Sequence, residues 1–181
     1  MRTTCNDHAE AIRQIAGVYT KFLSRLSWED PLLIVGAREG LNKFTSNVWL
    51  SMFVGNKYLK AQLISPAALR VLQGDRSDTL ALEHMVPKSK FIHAPCEAMA
   101  RKGRLTERFV HDLLRRYWFI ATVLESENTR LSPRIDMPDG WDEKDIGARY
   151  RVGKVQLIVN PYFPFAKEIA VVEPVRSLLR A

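Results

Sequence analysis

The chain reads as an α+β protein, with a helical N-terminal half and a small antiparallel sheet with short helices in the rest. Three observations predict this. Apolar residues recur at three- and four-residue spacing through 12–53, β-branched and aromatic runs lie beyond 78, and Pro and Gly cut the second half into short pieces. A chain of 181 residues with 46% apolar and 26% charged content is globular in composition and long enough to bury a core. We therefore expect a single domain over 1–181, made of a helical segment over 1–78 and an α+β segment over 79–181.

The elements follow in order. Ile12, Ile15, Ala16, Tyr19, Phe22, Leu23 and Leu26 mark a first helix, and Asp7 with Glu10 offers its capping box. Leu41, Phe44, Val48 and Met52 mark a second helix, placed after the apolar run 32–35 and a break at Gly36; Trp49 and Phe53 widen its core face. Ser65 as cap, Pro66 at the first helical position and Gly74 past the end outline a short third helix. Residues 79–86 then read as a strand, 95–102 as a short helix stopped by Gly103, and 106–116 as a helix turning Phe109, Val110, Leu113 and Leu114 inward.

A second strand is expected over 117–123, with Thr122 and Glu125 at capping-box spacing opening a short helix through 128–131 that Pro133 stops. Pro133, Pro138 and Gly140 indicate a loop over 132–141. A short helix with Ile146 and Tyr150, a third strand over 155–159 and a weak helix after Pro174 complete the chain.

The net charge of +7 and a pI near 9.6 favour polyanionic partners. The excess is concentrated: Lys88, Lys90, Arg101, Lys102, Arg104, Arg108, Arg115 and Arg116 face only Glu97, Glu107 and Asp112 across 87–117, a local charge of +5. Cys5 and Cys96 are the only cysteines, which excludes a disulfide framework and a four-cysteine zinc site. A mixed zinc site from His84, His93, Cys96 and His111 has no zinc-binding register, so structural zinc is not expected. The first ten residues are polar and no apolar run has the length of a membrane span, so we expect a cytoplasmic protein without a membrane partner. Phosphate-loop, dinucleotide and nucleophile-elbow motifs are absent.

Chemistry is best represented by Leu82-Glu83-His84-Met85-Val86-Pro87 at the end of the first expected strand. Phosphodiester hydrolysis needs a base for water and a divalent cation for the developing charge. Histidine titrates near neutrality, and carboxylate with amide oxygen suits a hard cation. The run resembles the Asp-His-Ile-Val-Pro type of signature in HNH endonucleases of the ββα-metal fold, where two strands and a helix frame one cation. Over 79–131 the resemblance implies His84 as general base and Glu83 as metal ligand. Asn128, by its place on the helix after the second strand, would be the other ligand. It further implies Mg2+ or Mn2+ as cofactor and DNA or RNA as substrate. Lys88 and Arg130, each close in sequence to one of these residues, are candidate phosphate contacts.

Whether the chain is an enzyme stays open at this point. One alternative is a basic protein that binds nucleic acid through Lys90, Arg101, Lys102, Arg104, Arg108, Arg115 and Arg116 without cutting it. A protein-interaction module using Tyr162, Phe163 and Phe165 is another.

Overall fold

The computed structural model describes residues 5–75, 77–131 and 135–179. It is an α+β protein. In chain order the helices are α1 (His8–Ser24), α2 (Pro31–Met52), α3 (Pro66–Leu72), α4 (Ala94–Arg101), α5 (Glu107–Tyr117), α6 (Glu125–Asn128), α7 (Ala148–Val152), α8 (Ala166–Ile169) and α9 (Val175–Leu178). The strands are β1 (Leu63–Ile64), β2 (Leu80–His84), β3 (Ile120–Leu124) and β4 (Ile158–Val159). The chain forms two compact units, one from residues up to 54 with 88–117, the other from 55–87 with 118 onward. Their boundaries do not follow the division at 78 expected from the sequence.

The first unit is helical. Asp7 is extended and its carboxylate accepts the Glu10 N–H at 2.6 Å, while Glu10 accepts the Asn6 N–H at 2.8 Å, so α1 starts where its cap signal stands. Most of its apolar stripe is buried, with Ala11, Ile12, Ile15, Ala16, Tyr19 and Leu23 inside and Phe22 half-buried. Each large aliphatic side chain in that stripe contributes about 1.5–3 kcal/mol.

The second helix departs from expectation, because α2 begins at Pro31 and runs unbroken through Gly36. Asp30 accepts the N–H groups of Leu32 and Leu33, both at 3.0 Å, and Pro31 pre-sets the first turn. A cap of this kind contributes about 1 kcal/mol and a helical glycine costs about 0.5–1 kcal/mol, so the cap and the buried Leu41, Thr45 and Trp49 outweigh Gly36.

A π-helical turn, Ser89–His93, leads directly into α4. The chain then turns at Gly103, whose φ of 63° suits glycine, and the Thr106 hydroxyl accepts the Phe109 N–H at 3.2 Å to open α5. Val110, Leu114 and Tyr117 of α5 are buried, with Phe109 and Leu113 half-buried beside them.

The second unit holds a sheet of order β2-β3-β1-β4. It is mixed rather than antiparallel: β1 runs parallel to β3, while β2 and β4 run antiparallel to their neighbours. Central β3 is buried along its whole length, as its Ile-Ala-Thr-Val-Leu run requires. β1 lies in the half expected to be helical; its two residues follow Gln62, whose buried side chain donates to the Trp118 carbonyl at 3.1 Å and accepts the Ile120 N–H at 2.9 Å. Asn160, also buried, donates to the Ala61 carbonyl at 2.9 Å from the far edge.

Other boundaries shift for local reasons. The expected strand 155–159 contracts to Ile158–Val159. Thr122 does not cap a helix, since it lies inside β3 with its hydroxyl donating to the Tyr58 carbonyl at 2.8 Å. The cap of α6 is the Glu127 carboxylate, which accepts the Leu124 N–H at 2.9 Å and the Ser65 hydroxyl at 2.5 Å. Ser65 in turn accepts the Ala68 N–H and opens α3 as expected. The stop at Pro133 and the start of the expected loop lie outside the described residues.

Candidate functional site

The end of β2 carries Glu83 and His84 in the second unit. Adjacent strand residues point to opposite faces, and the two side chains take different surroundings. Glu83 accepts a hydrogen bond from the Arg149 guanidinium at 3.0 Å, and the same nitrogen donates to the His84 carbonyl at 3.2 Å. The His84 ring stands edge-on to Trp118, with centroids 4.6 Å apart. Arg149, on α7, is almost wholly buried, whereas Glu83 keeps a quarter of its side chain exposed. A buried guanidinium needs a carboxylate, and Glu83 supplies it.

Tyr150 shares this environment. Its hydroxyl is buried without a hydrogen-bond partner among the described residues, and burial, followed by the charge of Glu83, pushes its pKa far up, so it stays protonated.

Asn128 is not brought to this pair. The register sets Leu80 opposite Leu124 and His84 opposite Ile120, so α6 follows β3 at the Leu80 end. Four residues of strand, about 13 Å, separate the two ends. Ligands of a hard cation must all lie about 2.0–2.6 Å from it. Glu83 also already faces a cation in Arg149, whose charge opposes a divalent ion at the same oxygen. Among the described residues no group of three or more His, Cys, Asp and Glu side chains is arranged to hold a metal. His93 bonds through Nε2 to the Thr45 hydroxyl at 3.0 Å, and Cys96 is buried, its thiol pKa pushed up to about 12 by burial.

The basic residues build a second candidate site, in the first unit. Arg101 and Lys102 end α4, Arg104 lies in the turn, and Arg108, Arg115 and Arg116 lie on α5; all six are exposed. On α5 the buried residues fall at 110, 114 and 117, so Arg108 and Arg115, two turns apart, share the opposite face. Three of the cations rest on local partners. Arg101 lies 4.7 Å from the Trp28 ring centroid, Arg116 lies 5.0 Å from that of Tyr117, and Arg108 reaches Asp112 at 3.9 Å. Such exposed contacts are weak, about 0–1 kcal/mol, and leave the charges available to a polyanion. Lys90, exposed on the π-helical turn, sits 5.5 Å from the Phe91 ring centroid.

Lys88 and Arg130 differ from each other in their surroundings. Lys88 is half-buried, and its ammonium donates to the Asn42 main-chain carbonyl at 2.7 Å and the Ser46 hydroxyl at 2.6 Å, so it is turned inward rather than held out to solvent. Burial pushes its pKa down to about 8. Arg130 is exposed just past α6, in the other unit. Of the aromatic tail, Phe163 is buried, Phe165 half-buried and Tyr162 exposed.

Sequence reasoning missed Arg149, Tyr150 and Ser46. Arg149 lies 66 residues from Glu83, and nothing in its local sequence marks it as buried. No helix among the described residues is long and apolar enough to cross a membrane. No family model, curated protein or solved structure matches this chain.

Proposed function

We propose that the protein binds nucleic acid through the basic surface of α4, the turn after it and α5. The observation that supports this reading is the placing of six exposed cations within 101–116 against only Glu107 and Asp112. Four of them, Arg101, Arg108, Arg115 and Arg116, are carried on helices whose apolar sides are buried within the same unit. Phosphates are the natural ligand of such a surface, because neutralising them releases condensed counterions. Contact through charge without a rigid base-reading pattern favours backbone recognition over sequence selection. A cytoplasmic location belongs to the same proposal.

The test is fluorescence anisotropy with a duplex DNA of about 20 base pairs and a hairpin RNA, across about 50–300 mM salt. If four of the six cations contact phosphates, log K falls against log salt with a slope of about −3 to −4. Arg104→Glu, Arg108→Glu and Arg115→Glu combined should weaken binding at least about tenfold and flatten the slope by about 2–3 units. Unchanged affinity in that triple variant rejects the surface.

Cleavage is decided in the same samples. Incubation with Mg2+ or Mn2+ and then with EDTA, repeated with His84→Ala, asks whether His84 serves as a base for water. Metal-dependent products lost in the variant would make the protein a nuclease; salt-sensitive binding without products leaves a binding protein.

A further inference from the structure

We propose that Ser46 is a nucleophile and Lys88 its general base, held by the Asn42 main-chain carbonyl, together forming a site that hydrolyses small carboxylic esters. This stands apart from nucleic-acid binding and uses none of the six cations above.

The geometry is that of a nucleophile, a base and a group that orients the base. Asn42 and Ser46 lie one turn apart on α2 and so share a face. Lys88, at the start of the π-helical turn, places its Nζ 2.6 Å from the Ser46 Oγ and 2.7 Å from the Asn42 carbonyl oxygen. The second bond fixes the amine against the first. Ser46 and Lys88 are half-buried, with the exposed Asn42 and Ser89 beside them.

The choice of partners separates this lysine from a structural one. Lys43, one residue beyond Asn42, is exposed and pairs with the Glu39 carboxylate at 2.5 Å. Lys88 is more buried, yet it donates to a hydroxyl and a carbonyl, neither of which neutralises an ammonium. Burial alone holds its pKa near 8. About a tenth of it is therefore neutral at pH 7, against about one in three thousand for an ordinary lysine. Lys90 and His93 are the titratable residues of the π-helical turn; Lys90 is exposed, and the charge of Lys88 helps to keep His93 neutral.

The reaction balances with water as the second reactant. Neutral Lys88 takes the Ser46 hydroxyl proton as Oγ bonds to the ester carbonyl carbon, and the carbonyl electron pair moves onto its oxygen to give the tetrahedral oxyanion. When the carbon–oxygen bond to the alcohol breaks, the Lys88 ammonium returns a proton to the leaving oxygen, and the acyl group stays on Ser46. Lys88 then takes a proton from water, the hydroxide attacks the acyl carbon, and the Ser46 oxygen leaves with that proton, releasing the acid.

The whole chain is treated with an alkyl fluorophosphonate, and the adduct is read by intact mass and peptide mapping. One adduct on Ser46 is expected, forming faster as pH rises to about 8 and levelling above it. Lys88→Met should slow labelling by about a hundredfold or more. Ser46→Ala should give no adduct and should lose p-nitrophenyl acetate hydrolysis. A folded wild-type protein without an adduct at Ser46, or labelling at an equal rate in Lys88→Met, overturns the proposal. Should Lys88→Met not fold, the wild-type profile decides, and a rate without an inflection near pH 8 overturns it equally.

Discussion

Arg149 holds its charge with 1% of its side chain exposed, and that is tolerable only while Glu83 faces it. Removing the carboxylate by Glu83→Ala should cost about 3–5 kcal/mol, read as a fall in the urea midpoint. Glu83→Leu with Arg149→Met should recover most of the loss, because the cost lies in the stranded charge. A fall below about 1 kcal/mol in the single variant would mean that water reaches the guanidinium. Acid sensitivity has a separate origin, in two buried histidines of the helical unit. Burial holds His8 near a pKa of about 4, and burial together with the charges of Lys88 and Arg38 holds His93 near about 3, both below the ordinary 6.5. Between those values the unfolded chain binds protons that the folded one refuses, so stability should fall as pH drops from about 6.5 towards 4, by a few kcal/mol. His93→Gln should shallow that decline in a pH series of urea midpoints, and an unchanged slope would remove His93 from the account.

At the scale of elements, α2 offers a direct measurement. A Cβ at Gly36 or Gly40 meets nothing within 4 Å, and both positions lie inside the helix. Gly36→Ala and Gly40→Ala should each raise stability by about 0.5–1 kcal/mol, seen as a higher Tm. A loss instead would mean that the helix yields at these positions. The same element shows where sequence reading stops. Helices announced by local signals, α1 by a cap and an apolar stripe and α3 by a cap, a first-turn proline and a closing glycine, stand where those signals place them, since each acts within a few residues. Gly36 reads as a break because a glycine's preference is local and visible, whereas the Asp30 cap that outweighs it acts further upstream. Two-residue β1 has no period to detect, and exists because the buried Gln62 and Asn160 amides bind it between its neighbours. At the candidate sites, the Glu83-His84 pair and the basic run were legible as adjacent residues. The Arg149 and Ser46 contacts were not, for they join positions 66 and 42 residues apart.

At the scale of the molecule, the chain passes between its two units three times, after 54, 87 and 117. Neither unit is therefore a contiguous piece. A fragment 1–78 keeps α1 and α2 but lacks α4 and α5, and α1 is packed against α5 in the intact first unit. Such a fragment should show little helix by circular dichroism and no cooperative melt, because its core face is left in water; a cooperative transition would show that α1 and α2 suffice. The strand order also has a bearing on synthesis. β1 and β2 are never neighbours: the slot between them belongs to β3, which leaves the ribosome well after β2. Until Leu124 emerges, the nascent chain carries two strands with unmet backbone groups and an open gap, a state that invites pairing with other chains. The interval in which residues 85–124 are being translated is thus the one in which the protein has most to gain from a holdase chaperone.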